Sequence, residues 1–391
     1  MVSVNRIYLD HNATTPVDPR VAQAMVEALS IFGNPSSIHW HGQQARAAID
    51  EARGHVAALI GASAAEIVFT GSGTEADNAA LRGLTARSPE GRRSIVISAI
   101  EHHAVLHAAR ALGKEGWTVR VVPSGASGQI DLGQLEDAVD DGTAVVALML
   151  ANNETGVVQP LAEAAALAAR HSARLHCDAV QAGGKVPVDV NTLGADTLAL
   201  SAHKLYGPKG VGALWVRRGT PMEALLRGGS QERNRRAGTE NVPGIVGFGE
   251  AARLAKLEME TESARLGALR DALESRLSAV PGTRINGEGP RVPNTTNISF
   301  DAVEAESLLM ALDLAGVSVS TGAACAAGAV EPSHVLRAMG LPAPRVQGSL
   351  RFSLGRGTTS EQIESVAAAV TEAVEKQRQL GRRPRKRVGP R

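Results

Sequence analysis

Between Ile67 and Val216, short runs of apolar and β-branched residues alternate with Ala-rich helical patterns, and this alternation constrains the fold more than any other feature of the chain. The strand-like runs are Ile67–Phe69, Ser94–Ser98, Val119–Val122, Ala144–Leu150, Arg174–Asp178 and Thr197–Ser201. Continuous apolar strands joined by helical stretches, such as Leu161 to His171, form parallel sheets covered on both faces. Gly212–Val216 follows a Gly-Pro loop too short for a helical crossover, so it is expected to run antiparallel. The sequence therefore predicts an α/β chain with a mostly parallel sheet of seven strands. One long amphipathic helix is expected from Gly249 to Val280. Strands at Asn297–Phe300, Val317–Ser320 and Leu350–Leu354 then predict a second, smaller α/β domain.

The 391 residues, 43% apolar and 21% charged, have the composition of a soluble globular protein and exclude fibrous or wholly disordered classes. No apolar run is long enough for a membrane span. Met1–Arg6 carries no apolar signal core, so the cytoplasm is the expected compartment. Two cysteines, Cys177 and Cys325, cannot build a disulfide framework. The net charge of +1 hides a split: Lys376–Arg391 holds eight basic and no acidic residues, leaving 33 basic and 40 acidic in the rest. A basic terminus of this kind reads first as a solvated, disordered tail, and it could also touch nucleic acid or an acidic partner.

Five segments carry chemistry. Lys204, in Ser201-Ala-His-Lys-Leu-Tyr-Gly-Pro, directly follows a buried strand, where α/β folds form their ligand crevice. A lysine desolvated there becomes a nucleophile for a Schiff base. Asp178 ends the preceding strand, as does the carboxylate that pairs with the pyridinium nitrogen in pyridoxal phosphate (PLP) enzymes. Taken alone, an Asp and a Lys at strand ends are ordinary surface residues. Thr70-Gly-Ser-Gly-Thr-Glu-Ala-Asp-Asn opens a helix with small residues, suited to a phosphate at the helix N-terminus and equally to a plain capped start. It lacks the third glycine of a dinucleotide fingerprint and the Gly-Lys-Ser/Thr of a Walker loop. His102, in Glu101-His-His-Ala-Val-Leu-His, can lie over a heteroaromatic ring and move protons. His103 and His107 have the i, i+4 spacing of metal ligands, but no third ligand stands nearby in sequence. Cys325 lies in Ser318-Val-Ser-Thr-Gly-Ala-Ala-Cys-Ala-Ala-Gly-Ala, a run of small residues that bends easily and suits a moving nucleophile. Cys177 points to the opposite face from Asp178 and reads as core.

In this order, the motifs resemble those of the cysteine desulfurases in the class V aminotransferase group of fold-type-I PLP enzymes. The likeness runs from Tyr8-Leu-Asp-His-Asn-Ala-Thr-Thr-Pro and Phe32-Gly-Asn-Pro-Ser-Ser through Gly73-Thr-Glu-Ala-Asp-Asn, Ala151-Asn-Asn-Glu-Thr-Gly, His203-Lys and Arg236-Ala-Gly-Thr-Glu-Asn to Leu350-Arg-Phe-Ser-Leu-Gly-Arg. The Cys325 segment is similar to the long cysteine loop of the nitrogen-fixation and iron–sulfur housekeeping subgroup, although Ala-rich where that group more often has Ser.

The resemblance implies a large PLP-binding domain over 14–255. It implies a small domain from 1–13 and 256–380 that carries the cysteine loop, and a basic tail over 381–391. Lys204 would form the Schiff base, Asp178 pair with the pyridinium nitrogen, Gln181 bond the ring oxygen and His102 stack and shuttle protons. Gly73, Thr74, Ser201 and His203 would hold the phosphate. Thr239 would reach the cofactor of a neighbouring subunit, implying a homodimer. Arg351 would clamp the substrate carboxylate, with Asn153 facing cofactor and substrate. Cys325 would take the sulfur of L-cysteine as a persulfide and deliver it to an acceptor protein, for iron–sulfur assembly or for thiolation of a nucleic acid or cofactor. No metal is expected, beyond a cluster that Cys325 could ligate in passing. A plain aminotransferase or a selenocysteine lyase would share the fold, and a non-catalytic scaffold would not need Lys204, Asp178 and Cys325 together.

Overall fold

The computed structural model describes residues 6–322, 325–326, 329–330 and 332–382, with the backbone alone at 325–326, 329–330 and 381–382. The basic tail therefore lies outside the described residues from Arg383 onward. A two-residue strand β1 (Ile7–Tyr8) opens the chain, followed by helices α1 (Pro19–Ala28) and α2 (Trp40–Leu59). Strand β2 (Ile67–Thr70) leads into α3 (Gly73–Ala86), and β3 (Ser94–Ser98) into α4 (His103–Lys114). Then come β4 (Thr118–Val122), β5 (Thr143–Ala147), β6 (Arg174–Asp178), β7 (Thr197–Ser201) and β8 (Gly212–Val216).

Strands β2 to β8 form one sheet in the order β2-β8-β7-β6-β5-β3-β4. All run parallel except β8, which is antiparallel to both β2 and β7, as the short loop before it requires. Every residue of β2, β3, β5, β7 and β8 is buried, which explains the uninterrupted apolar runs. Cys177 is fully buried in this core.

The long helix α5 runs from Val242 to Ser278, beginning seven residues before the expected Gly249. Asn241 caps it, its side-chain oxygen accepting the Gly244 N–H at 3.1 Å, and Pro243 sits in the first turn, where its missing N–H costs nothing. Two glycines near its start are contact points. A Cβ on Gly247 would meet Met25 Cγ at 2.6 Å, and one on Gly249 would meet Ala52 Cα at 2.5 Å. The first half of α5 thus packs tightly on α1 and α2, two helices without a counterpart among the elements expected from sequence.

The second half of α5 supplies Leu266, Leu269, Leu273 and Leu277 to a separate core. That core covers an antiparallel sheet of β9 (Thr283–Asn286), β10 (Thr295–Phe300) and β14 (Ser349–Ser353), in the order β14-β10-β9. The C-terminal helix α6 (Ser360–Arg382) closes it. The strand expected over Val317–Ser320 is shorter, β11 (Val317–Ser318), and leaves this sheet to pair in parallel with β1. The backbone of β12 (Cys325–Ala326) pairs antiparallel with β13 (Ala329–Val330).

A buried ion pair ties the segment after β8 to the main core. Arg53 donates to both carboxylate oxygens of Glu232 at 2.6 and 2.8 Å, and Glu232 also accepts the Phe69 N–H at 2.9 Å. Glu232, Arg233 and Asn234 all have positive φ, at 46, 57 and 62°, a run that L-residues adopt only when held. No helix among the described residues is long and apolar enough to cross a membrane.

Candidate active site

The C-terminal ends of the parallel strands surround a cavity of about 250 Å³. Gly73, Thr74, His102, Asn153, Asp178, Gln181, Ser201, His203 and Lys204 line it, nine of the residues singled out from sequence. Ser72, Asp77, Met149 and Val180 line it too and were not anticipated. Asp77 was findable in principle: it lies one turn beyond Gly73 on the helix that opens at the cavity.

One end of the cavity is built for an anion. Ser72 caps α3, its hydroxyl accepting the Glu75 N–H at 3.1 Å, and the free N–H groups of the first turn follow. Position 73 must be glycine, because a Cβ there would meet Val180 Cγ2 at 2.7 Å. Ser201 Oγ is buried with no hydrogen-bond partner among the described residues, an acceptor-donor left for something else to satisfy. His203 Nδ1 lies 3.1 Å from Thr14 Oγ1, which fixes its ring.

Asp178 closes β6 in the same cavity and accepts the Val180 N–H at 2.9 Å. Burial pushes its carboxyl up to about 6, while the Val180 N–H and nearby Lys204 pull the other way. A cationic ring nitrogen would restore the full negative charge there. Behind it lies a buried chain in which His176 joins Asp77 at 3.1 Å to Thr197 at 2.9 Å.

Lys204, in the short helical turn after β7, turns its ammonium onto two main-chain carbonyls, Asn12 at 2.5 Å and Ala13 at 2.7 Å. Burial lowers it to about 8, with the Arg351 charge adding to the effect. Gln181 donates to the same Asn12 carbonyl at 2.9 Å, and Lys185 spans Gln181 Oε1 at 2.6 Å and Asn12 Oδ1 at 3.3 Å. Asn12 was not singled out from sequence, since nothing in an Asn-Ala-Thr-Thr segment reveals which carbonyls it presents.

His102 is the N-cap of α4, its Nδ1 accepting the Ala104 N–H at 3.1 Å. In the neutral ring that contact assigns the proton to Nε2. Burial, reinforced by Lys204, pushes His102 down to about 4, so the ring is neutral at pH 7. Glu101 beneath it is fully buried, accepting Ser98 Oγ–H at 2.7 Å and the Met149 N–H at 2.8 Å, and burial raises it to about 8. His103, His107 and a third ring, His334, come together with centroid separations of 5.0 and 4.7 Å from His103. No group of three His, Cys, Asp or Glu among the described residues is arranged to hold a metal.

Three anticipated residues stand apart from the cavity wall. Arg351, on β14, reaches it through Asn153, donating from Nη1 to the Asn153 carbonyl at 3.0 Å. Thr239 is exposed, and its segment is held at the start of α3 by the Arg236–Glu75 ion pair at 2.9 Å. The side chain of Cys325 lies outside the described residues, as does the expected mobility of its loop.

The residues fit PLP: a helix N-terminus with an unsatisfied hydroxyl, a buried carboxylate, a lysine and an imidazole line one cavity. Fold and site define a class-V aminotransferase of PLP fold type I, and the profile of that family, Aminotransferase class-V, matches residues 7–366; the chain belongs to it. Among its relatives is a cysteine desulfurase of Trichormus azollae, 49% identical over 377 residues that cover 96% of this chain and 94% of the relative. Solved structures of similar fold include a NifS-like protein at TM-score 0.89 and 36% identity, covering 95% of this chain and 100% of the other. Another is SspA in complex with cysteine, at TM-score 0.78 and 33% identity over 89% of this chain and 98% of the other.

Proposed function

We propose that this chain is a PLP-dependent cysteine desulfurase that converts L-cysteine to L-alanine and passes the sulfur to Cys325. The convergence of Lys204, Asp178 and His102 on one cavity carries this reading. The 49% identity to a cysteine desulfurase supports it.

Gly73, Thr74, Ser201 and His203 would hold the phosphate, Asp178 the ring nitrogen, Gln181 the ring oxygen and Lys204 the aldehyde carbon. When bound, PLP supplies the electron sink that lets bonds at Cα, and then the Cβ–S bond, be broken. Arg351 and Asn153 orient the substrate carboxylate. Lys204 has the Asn12 and Ala13 carbonyls to hold its ammonium, and as a free amine it would move a proton at the substrate Cα. His102 offers Nε2–H as a donor. The Cys325 thiolate attacks the substrate sulfur: the S–S bond forms as the C–S bond breaks, and the carbon gains a proton to give alanine. An ordinary thiol is only about 3% ionised at pH 7, so the step needs local removal of the Cys325 proton.

The domain division at 255/256 has support in α5, whose two halves feed two different cores. A homodimer completed by Thr239, a cytoplasmic location and an acceptor protein for iron–sulfur assembly or thiolation belong to the same reading.

The test is direct. Incubation with L-cysteine should yield alanine in step with a persulfide that mass spectrometry places on Cys325. Cys325→Ser should keep the cofactor and bind cysteine but form no persulfide. A holoprotein that makes no alanine would sink the activity, and a persulfide on Cys177 would sink the choice of cysteine.

A further inference from the structure

Arg351 is 5% exposed and needs a counter-charge for a guanidinium so deeply buried. It has one in Asp10, which accepts from Nη2 at 2.6 Å. The Asn153 carbonyl takes Nη1 at 3.0 Å, while Nε is buried with no partner among the described residues. An arginine offers five N–H donors in a rigid plane, so two contacts at the Nη end set the direction of the rest.

Asp10 is itself held. It pairs with Ser353 in a parallel bridge beside β14, and its carbonyl accepts the Tyr8 hydroxyl at 3.0 Å. The carboxylate therefore comes from a backbone registered against the strand that carries Arg351.

We propose that Asp10 is the positioning residue of the carboxylate clamp: with the Asn153 carbonyl it holds the Nη end of Arg351 and leaves the Nε edge for the α-carboxylate of the substrate. Asp10 acts in this way only if Arg351 is the clamp proposed above. It forms no bond with the substrate. Its contribution is to remove the rotamer freedom that Arg351 would otherwise lose on binding, and to keep the buried cation paired.

The experiment uses the holoenzyme and two amines that do not desulfurate, L-alanine and ethylamine, the second lacking a carboxylate. Absorbance titrations give a dissociation constant for each. For Asp10→Asn the L-alanine constant should rise about tenfold, the loss of one charge-assisted contact, while ethylamine binding and cofactor affinity stay unchanged; Tm should fall, because the buried guanidinium loses its counter-charge. Asp10→Glu should recover most of the loss, and with L-cysteine the variant should raise KM more than it lowers kcat. Equal weakening for both amines would make Asp10 merely structural and overturn the proposal. Tighter L-alanine binding by the variant would make Asp10 a competitor for Arg351 and overturn it as well. A wild-type enzyme that does not distinguish the two amines would remove Arg351 as the clamp and the proposal with it.

Discussion

Lys204 Nζ lies 2.5 Å from the main-chain carbonyl of Asn12, a residue 192 positions earlier in the chain. Burial, with the Arg351 charge, brings Lys204 down to about 8, while the Asp178 and Asp10 carboxylates favour its ammonium. Only the free amine attacks an aldehyde. Capture of PLP by the apoprotein should therefore quicken with pH and level off above about 8, rather than climb toward the ~10.4 of an ordinary lysine. Stopped-flow absorbance at fixed PLP concentration measures it. A rate still rising at pH 10 would show that Lys204 is an unperturbed amine, and Lys204→Ala should show no such phase.

Glu101 gives a pH dependence of the opposite kind. An unfolded glutamate titrates near ~4.3, whereas burial raises Glu101 to about 8. Between those values the folded state binds the extra proton, so this contribution is complete below the lower value and is lost as pH rises through about 8. Gln in its place accepts the Ser98 and Met149 bonds without titrating. Urea unfolding at pH 5, 6.5 and 8.5 should show the stability of the wild type falling steadily relative to Glu101→Gln. A constant difference would mean that Glu101 is ionised throughout.

The Arg53–Glu232 pair should matter far more than any ion pair at the surface. Glu232→Ala leaves a buried guanidinium and an unsatisfied Phe69 N–H, and should cost about 3–5 kcal/mol in unfolding free energy. It should also release the run of positive φ at 232–234, seen as faster proteolysis near Arg233. A loss below about 1 kcal/mol, the range of exposed pairs, would contradict the burial argument.

The main sheet was legible because buried parallel strands are written as unbroken apolar runs. Lys204, Asp178 and His102 were legible because each stands at a strand end or within four residues after one. The first seven residues of α5 were not, since Gly244 and Gly247 serve the close approach of Val211 and of Met25 on α1, and a close helix contact uses the same residue as a flexible loop. Nor was β9 anticipated, a strand whose Thr-Arg-Ile-Asn has one fully buried residue, Asn286. Asp10 and Asn12 were inside a recognised motif, yet their partners, Arg351 and Lys204, lie hundreds of residues away, and no local pattern encodes such a pairing.

The stitching of residues 7–13 into the far end of the chain sets an order of events during synthesis. Ile7 pairs with Val317, and Asp10 with Ser353, so a segment made more than 300 residues earlier waits for its partner strands. At about 5–20 residues per second, residue 10 waits roughly 20–70 s for residue 353. The seven-stranded sheet, whose last strand ends at Val216, has no such wait and can consolidate first. Lys204 is thus carried on a scaffold that forms early, whereas the segment whose carbonyls it rests on and Arg351 are locked together only after residue 353 has been made. A nascent chain stalled before Ser353 should be compact yet unable to distinguish an amino acid from a bare amine.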